Sequence, residues 1–143
     1  MVPISRRGVA FPACIVYLCP VARVLIVDDD LDIRDAVSEF LSFEGHEVFT
    51  ASDGEQALVR CRQLRPDLVL LDLMMPGMNG WDFRRAQLRD PAIAAIPVLV
   101  VSALGRVADL AVAGFLPKPF SLDDLTSAVR RLAGSAGLAA VHL

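Results

Sequence analysis

Four polar positions in this sequence each follow an apolar segment directly and could act together in chemistry. The acidic run 28–30 ends the segment "VLIVDDD", Asp72 ends "DLVLLD" and Ser102 ends "VLVVS". Lys118 follows the short apolar segment "GFLP". Each of these residues alone is common as a helix cap or a turn residue. Together, after successive apolar segments, they point to a shared site.

Clustered carboxylates at these positions suit a hard metal ion. Neighbouring negative charges repel each other unless a cation lies among them, and oxygen ligands of this kind are typical of Mg²⁺. Mg²⁺ often completes its shell with phosphate oxygens, and a carboxylate can itself attack phosphorus to form an acyl phosphate. Lys118 and the Ser102 hydroxyl would then bind the phosphoryl oxygens. The residue types therefore predict phosphoryl chemistry with Mg²⁺.

The segments that must position these side chains alternate between strand and helix patterns. Apolar, β-branched runs predict five strands, and apolar residues at helical spacing predict a helix after each. The fourth helix is short, near 106–113, and a capping box of Ser121 with Asp124 starts the last helix, which ends at Leu132. The predicted strands are "RVLIV" (23–27), "EVFTA" (47–51), "DLVLLD" (67–72), "IPVLVVSA" (96–103) and "GFLP" (114–117).

Five repeats of strand then helix predict an α/β fold. Because the strands are apolar on both faces, we expect a doubly wound parallel sheet covered by helices on both faces. Chemistry in such sheets lies beyond the carboxyl ends of the strands. The acidic run, Asp72, Ser102 and Lys118 should therefore converge at that edge.

Composition argues against several classes of protein. A chain of 143 residues with 55% apolar content fits one globular domain. The 14 basic and 17 acidic residues are scattered and give a net charge of −3, so neither a nucleic-acid nor a membrane partner is indicated. Cys14, Cys19 and Cys61 are odd in number and lack disulfide or zinc spacing, which favours a reducing, cytoplasmic setting.

The two ends of the chain lie outside the strand and helix pattern. Residues 8–22, "GVAFPACIVYLCPVA", look like the apolar part of a signal peptide, but Pro12 and Pro20 interrupt them and they are too few to span a bilayer. We interpret 1–22 as a poorly ordered or misassigned N-terminal extension and 134–143 as a C-terminal tail. The domain itself is predicted over 23–133.

The order and content of the motifs resemble the response regulator receiver domain of two-component signalling, the CheY-like family. The resemblance rests on "VDDD", "DLVLLDLMMPGMNG", "VLVVSA" and "FLPKPF", and it extends over Arg23–Ala133. It implies a flavodoxin-like five-stranded sheet with the strand order 2-1-3-4-5. It also implies a phosphoprotein that is not an enzyme. Such a protein accepts a phosphoryl group from a histidine kinase or a histidine phosphotransfer protein and switches conformation to control a partner protein.

The resemblance implies a role for each acidic residue. Asp72 matches the phosphoacceptor. Asp29 matches the direct Mg²⁺ ligand, and Asp28 matches a residue that acts largely through water. Asp72 is also expected to bind the metal, and the carbonyl of Met74 matches the third protein ligand. The negative charge of Asp30 is expected to interact favourably with the dipole at the start of the first helix, and not to bind metal.

The same resemblance implies the switch residues. Ser102 matches the hydroxyl that turns toward the phosphoryl group, and Phe115 matches the aromatic switch position. Lys118 matches the cation that binds the phosphoryl oxygens. Pro119 is expected to follow a cis peptide bond.

The sequence departs from the family between Ser102 and Lys118. Only fifteen residues separate them, so the fourth helix is shortened, and Arg106 and Asp109 are its only charged residues. The charged seam that transcription-factor receivers use for dimerisation is not evident, so we expect a monomer or weak dimer. Eleven residues follow Leu132, too few for an effector domain, and the resemblance is therefore to a stand-alone receiver.

Two other functions remain open on the sequence. An aspartate-nucleophile phosphohydrolase would use a D-x-D loop, which Asp28 and Asp30 supply, but it leaves Asp72 and "LPKPF" without a role. A pseudo-receiver would be an interaction module that has lost phosphorylation. The intact acids, together with Ser102 and Lys118, argue against it.

Overall fold

The chain folds around a single parallel β-sheet. The computed structural model describes residues 22–104, 107 and 109–141, and only the backbone of 134–141, so the predicted extension lies outside the described residues except for Ala22. The strands are β1 (Arg23–Val27), β2 (Glu47–Ala51), β3 (Leu68–Leu71), β4 (Val98–Ser102) and β5 (Gly114–Pro117). They pair in the order β2-β1-β3-β4-β5, all parallel. The predicted fold class and strand order are confirmed.

Four α-helices connect or follow these strands in the described part of the chain. They are α1 (Leu31–Phe43), α2 (Gly54–Leu64), α3 (Gly80–Arg89) and α4 (Leu122–Val141). Side-chain oxygens of Asp30, Asp53 and Asn79 accept N–H bonds from the first turns of α1, α2 and α3. Each cap satisfies a backbone donor that the helix cannot pair internally. The caps therefore fix where each helix leaves the sheet edge.

Helix α4 begins where the sequence predicts and runs beyond the predicted end. Ser121 Oγ accepts a hydrogen bond from the Asp124 N–H at 3.0 Å, as the capping box requires. The helix continues past Leu132 to Val141, through an alanine-rich segment that contains no proline to stop it. None of the described helices is both long and apolar enough to span a membrane.

Two apolar cores lie on opposite faces of the sheet. Helices α1 and α4 cover one face, and α2 and α3 cover the other. Every residue of β3 and β4 is buried, which is expected for strands with helices on both sides. The helices contribute Val37, Leu41, Leu125 and Val129 to the first core and Ala57, Leu58, Cys61 and Phe83 to the second. The two cores hold the carboxyl edge of the sheet as a rigid platform.

The connection between β4 and β5 differs from the prediction. The described residues of this connection, which are 103, 104, 107 and 109–113, contain no helix, so the shortened fourth helix is wrong for them. The connection must return the chain along the length of five strand residues, which is about 16 Å at 3.3 Å per residue. A helix rising 1.5 Å per residue needs about eleven residues for that distance. The connection has eleven residues in total, which leaves none for the turns at its two ends.

Apolar packing and one arginine hold this connection to the sheet. Val107, Leu110 and Val112 are partly buried against the second core. Arg84 of α3 donates a hydrogen bond from Nε to the carbonyl of Ala111 at 2.9 Å. The described residues between Ser102 and Phe115 therefore have defined attachments although they contain no helix.

Candidate functional site

The carboxyl ends of β1 and β3 bring two buried aspartates together. The Asp28 N–H donates to the carbonyl of Ala51 at 3.1 Å, and the Asp72 N–H donates to the carbonyl of Val27 at 2.9 Å, so both residues continue the strand pairing. Asp28 is 4% exposed and Asp72 is 7% exposed, whereas Asp29 is exposed. One carboxylate oxygen from each of the three lies within 4.8 Å of the others. The structure thus brings the predicted acidic cluster together.

Lys118 lies between the two buried carboxylates. Its Nζ donates to Asp28 Oδ2 at 2.8 Å and lies 3.5 Å from Asp72 Oδ2. Its backbone N–H donates to the carbonyl of Ser102 at 3.0 Å, which ties the end of β5 to the end of β4. The predicted cis bond between Lys118 and Pro119 is present. The lysine is therefore directed into the acidic cluster by its backbone as well as its charge.

The charges in this cluster shift the pKa values of its members. Burial raises the pKa of Asp72 above its ordinary value of 3.8, and nearby Asp28 adds to the increase. The charge of Lys118 and a hydrogen bond from the Met74 N–H partly oppose it. Burial disfavours the charged form of Lys118, but the hydrogen bond and charge of Asp28, with the charge of Asp72, hold the pKa of Lys118 above its ordinary value. The lysine stays protonated at neutral pH.

Ser102 and Phe115 lie on adjacent strands. Ser102 is fully buried at the carboxyl end of β4, and its Oγ accepts a hydrogen bond from the Leu104 N–H at 3.3 Å. Phe115 is partly buried in the second core and pairs with Val100 of β4. The two positions are therefore linked through the paired strands and through the connection between them.

The loop after Asp72 turns closely past the site. The Met74 N–H donates to Asp72 Oδ1 at 3.2 Å, and the Met74 side chain is 59% exposed. Gly77 has a φ of +72°, a conformation that side-chain-bearing residues rarely adopt. A Cβ on Gly80 would lie 2.7 Å from both the Asp72 carbonyl oxygen and the Leu73 Cα, so the turn needs glycine there.

Asp30 serves as a helix cap, as expected. Its Oδ1 accepts hydrogen bonds from the N–H groups of Asp32 at 3.0 Å and Ile33 at 3.3 Å. A phosphohydrolase built on Asp28 and Asp30 would need both carboxylates directed at substrate. Asp28 is paired with Lys118, and the Asp30 carboxylate is engaged in α1. The arrangement argues against that alternative.

Sequence reasoning did not single out Arg34, which contacts the site backbone. Its Nη1 donates to the carbonyl of Asp28 at 2.8 Å. The sequence gives no clear signal for this contact, because it joins a side chain to a backbone carbonyl and not to another side chain.

The raised pKa of Asp72 predicts how stability depends on pH without Mg²⁺. The folded state binds the Asp72 proton more tightly than the unfolded chain does, so ionisation of Asp72 at neutral pH lowers the free energy of unfolding. This loss of stability disappears as the pH falls through the pKa of Asp72 in the folded state. Asp72→Asn carries no charge and should be more stable than the wild type at pH 7 in a chelator. The difference in the free energy of unfolding between the variant and the wild type should decrease toward acid pH. Urea unfolding at several pH values measures it.

The control for this prediction is the same change on an exposed surface. Asp123→Asn, in the exposed first turn of α4, removes one negative charge from an exposed position outside the buried cluster. An Asp72→Asn protein that is less stable than the wild type at pH 7, or a difference that does not vary with pH, would contradict the buried-charge argument.

Comparison with known proteins identifies relatives of this chain. The family model described as "Response regulator receiver domain" matches residues 24–130. The "DNA-binding dual master transcriptional regulator RpaA" of Synechocystis is 40% identical over 117 residues, which cover 77% of this chain and 48% of that protein. The "DNA-binding response regulator MtrA" of Mycobacterium tuberculosis is 38% identical over 114 residues, covering 76% and 49%. The chain spans about half the length of these curated relatives.

A solved structure shares both the fold and part of the sequence. The chemotaxis protein CheY4 of Vibrio cholerae aligns with a TM-score of 0.72 and 32% identity, over 78% of this chain and 98% of that chain. The family match covers most of the chain and includes every residue of the acidic cluster, Ser102 and Lys118. The chain therefore belongs to the response regulator receiver domain family.

Proposed function

We propose that this receiver domain is a phosphoacceptor in which Asp72 takes a phosphoryl group from a histidine kinase or a histidine phosphotransfer protein. The observation that carries the proposal is the convergence of three carboxylates within 4.8 Å of one another beside Lys118. A carboxylate that accepts phosphorus needs nearby positive charge to offset the charge of the incoming group. Lys118 and a bound cation provide it.

Mg²⁺ fits the acidic cluster by the chemistry of its donors. The three carboxylates supply only oxygen ligands and lie close enough together to hold one ion. Asp29 and Asp72 would bind it directly, Asp28 largely through water, and the carbonyl of Met74 would be the remaining protein ligand. When bound, Mg²⁺ would neutralise part of the negative charge on the phosphoryl oxygens.

The transfer itself exchanges one bond to phosphorus for another. A carboxylate oxygen of Asp72 attacks the phosphorus, and a P–O bond forms as the P–N bond to the donor histidine breaks. The departing imidazole keeps the electron pair of that bond. Lys118, which its neighbours keep protonated, lies 3.5 Å from Asp72 Oδ2 and binds the oxygens of the incoming group. The transfer is a signalling step and not the turnover of a metabolite.

Ser102 and Phe115 transmit the change to a partner protein. When the Ser102 hydroxyl turns toward the phosphoryl group, it gives up its contact with the Leu104 N–H. The connection that begins at Ser102 then shifts, and Phe115 at its far end repacks in the second core. The domain acts in the cytoplasm as a monomer or weak dimer, and its output is a protein contact.

Phosphorylation tests the role of Asp72. The protein incubated with Mg²⁺ and a small phosphodonor such as acetyl phosphate should incorporate one phosphoryl group, released by hydroxylamine as an acyl phosphate is. Asp72→Asn should abolish incorporation because it removes the nucleophilic charge while keeping the shape. Mass spectrometry measures the outcome, with Asp123→Asn as the control that keeps activity. Labelling that persists in Asp72→Asn would place the acceptor elsewhere.

Mg²⁺ affinity tests the assignment of Asp29. Asp29→Asn should weaken Mg²⁺ binding more than Asp30→Asn does, because only Asp29 is placed as a direct ligand. The second variant is a matched control, since asparagine keeps the helix cap while removing the same charge. Fluorescence of Trp81, at the start of α3, reports the titration. Equal losses in the two variants would refute the assignment.

The lifetime of the aspartyl phosphate depends on access of water to Asp72. Met74 and Leu104 follow Asp72 and Ser102 by two residues and are 59% and 53% exposed. Neither side chain can orient a water molecule for in-line attack, so self-dephosphorylation should be slow. Met74→Asn combined with Leu104→Glu should accelerate it, as measured by the decay of phosphorylated protein. Leu88→Glu, on the exposed face of α3, is the control, and a double variant that decays no faster contradicts this role.

A further inference from the structure

Arg34 of α1 forms a hydrogen bond to the backbone of the acidic cluster. Its Nη1 donates to the carbonyl of Asp28 at 2.8 Å, in a partly buried position. This carbonyl belongs to the peptide group that joins Asp28 to Asp29. The arginine therefore contacts the short length of chain that carries two of the three carboxylates.

The end of β2 explains why this carbonyl takes a side-chain partner. The Asp28 N–H donates to the carbonyl of Ala51, so its N–H and C=O both face β2, which ends at Ala51. Beyond that point the strand pairing supplies no further ladder bond for Asp28. Arg34 supplies the donor in its place. A partly buried carbonyl at a strand end is thus satisfied and fixed in direction.

Asp29 depends on this backbone for its position. Asp28 is held by its side chain, since Oδ1 accepts from the Asp30 N–H at 2.9 Å and Oδ2 accepts from Lys118 at 2.8 Å. The exposed Asp29 side chain forms no hydrogen bond with another residue in the described part of the chain. The orientation of the Asp28–Asp29 peptide group is therefore what directs the Asp29 carboxylate toward the cluster.

We propose that Arg34 is a positioning residue for the cation site, acting by fixing the peptide group that places Asp29. The inference rests on the proposed function, in which the acidic cluster binds Mg²⁺. A positive charge near the start of α1 opposes the helix dipole, and near the cluster it repels a bound cation. The directed hydrogen bond to the Asp28 carbonyl accounts for an arginine there.

The two effects of Arg34 on Mg²⁺ have opposite signs, which makes the test decisive. Arg34→Met keeps the length of the side chain but removes its charge and its donors. Loss of charge alone would tighten Mg²⁺ binding, whereas loss of positioning should weaken it, by about tenfold for a residue that orients a metal ligand. Isothermal titration with Mg²⁺ measures the affinity. Arg34→Ala should weaken binding in the same direction, and Arg130→Ala, an exposed charge on α4, is the control that should leave it unchanged.

A second measurement does not depend on metal. Without Mg²⁺, Arg34→Met should change the ¹⁵N chemical shift of the Asp29 amide, which shares its peptide group with the carbonyl that loses its hydrogen bond. Urea unfolding of the same samples establishes that the variant is folded. An unchanged Asp29 shift, or Mg²⁺ affinity that is equal to or tighter than that of the wild type, overturns the role of Arg34 alone. A wild-type protein that binds no Mg²⁺ overturns the proposed cation site and this inference together.

Discussion

The site depends on keeping two buried carboxylates side by side, and Lys118 makes this possible. Burial and the charge of the neighbouring Asp28 both disfavour charge on Asp72. The lysine ammonium contacts both carboxylates, and its backbone N–H binds the carbonyl of Ser102. One residue thus joins the ends of β1, β3, β4 and β5. The order of the strands matters because only neighbouring carboxyl ends bring these groups within reach of one lysine.

The sequence predicts the sheet and most of the site because both depend on strong local signals. Short apolar runs with β-branched residues, such as 68–71 and 98–101, are typical of buried strands, and their alternation with helices along the chain predicts the parallel topology. Polar residues directly after such runs must lie at the carboxyl edge. The roles proposed for Asp72 and Ser102, by contrast, rest on the resemblance to receiver domains, since an aspartate or a serine after a strand has many uses. The structure adds the contacts among these polar side chains.

Two features escape the sequence because they depend on lengths and on backbone groups. The connection after Ser102 contains enough apolar residues to suggest a helix, but eleven residues are too few for a helix that crosses the sheet and a turn at each of its ends. Among the described residues, the hydrogen-bond partner of Arg34 is the Asp28 carbonyl, which becomes available where β2 ends. Contacts between a side chain and the backbone of a distant element leave little trace in residue types.

The described residues of the β4–β5 connection contain no helix. This segment can therefore move without displacing a rigid helix across the sheet. Its described attachments include three apolar side chains and the hydrogen bond from Arg84 to Ala111. Segments with few cooperative backbone hydrogen bonds open locally, at a free-energy cost well below that of global unfolding. Amide hydrogens at 109–112 would then exchange with solvent while those of the central strands stay protected, as would the Ala113 amide, which donates to the carbonyl of Val98. This segment, which lies between Ser102 and Phe115, can therefore rearrange without unfolding of the central strands.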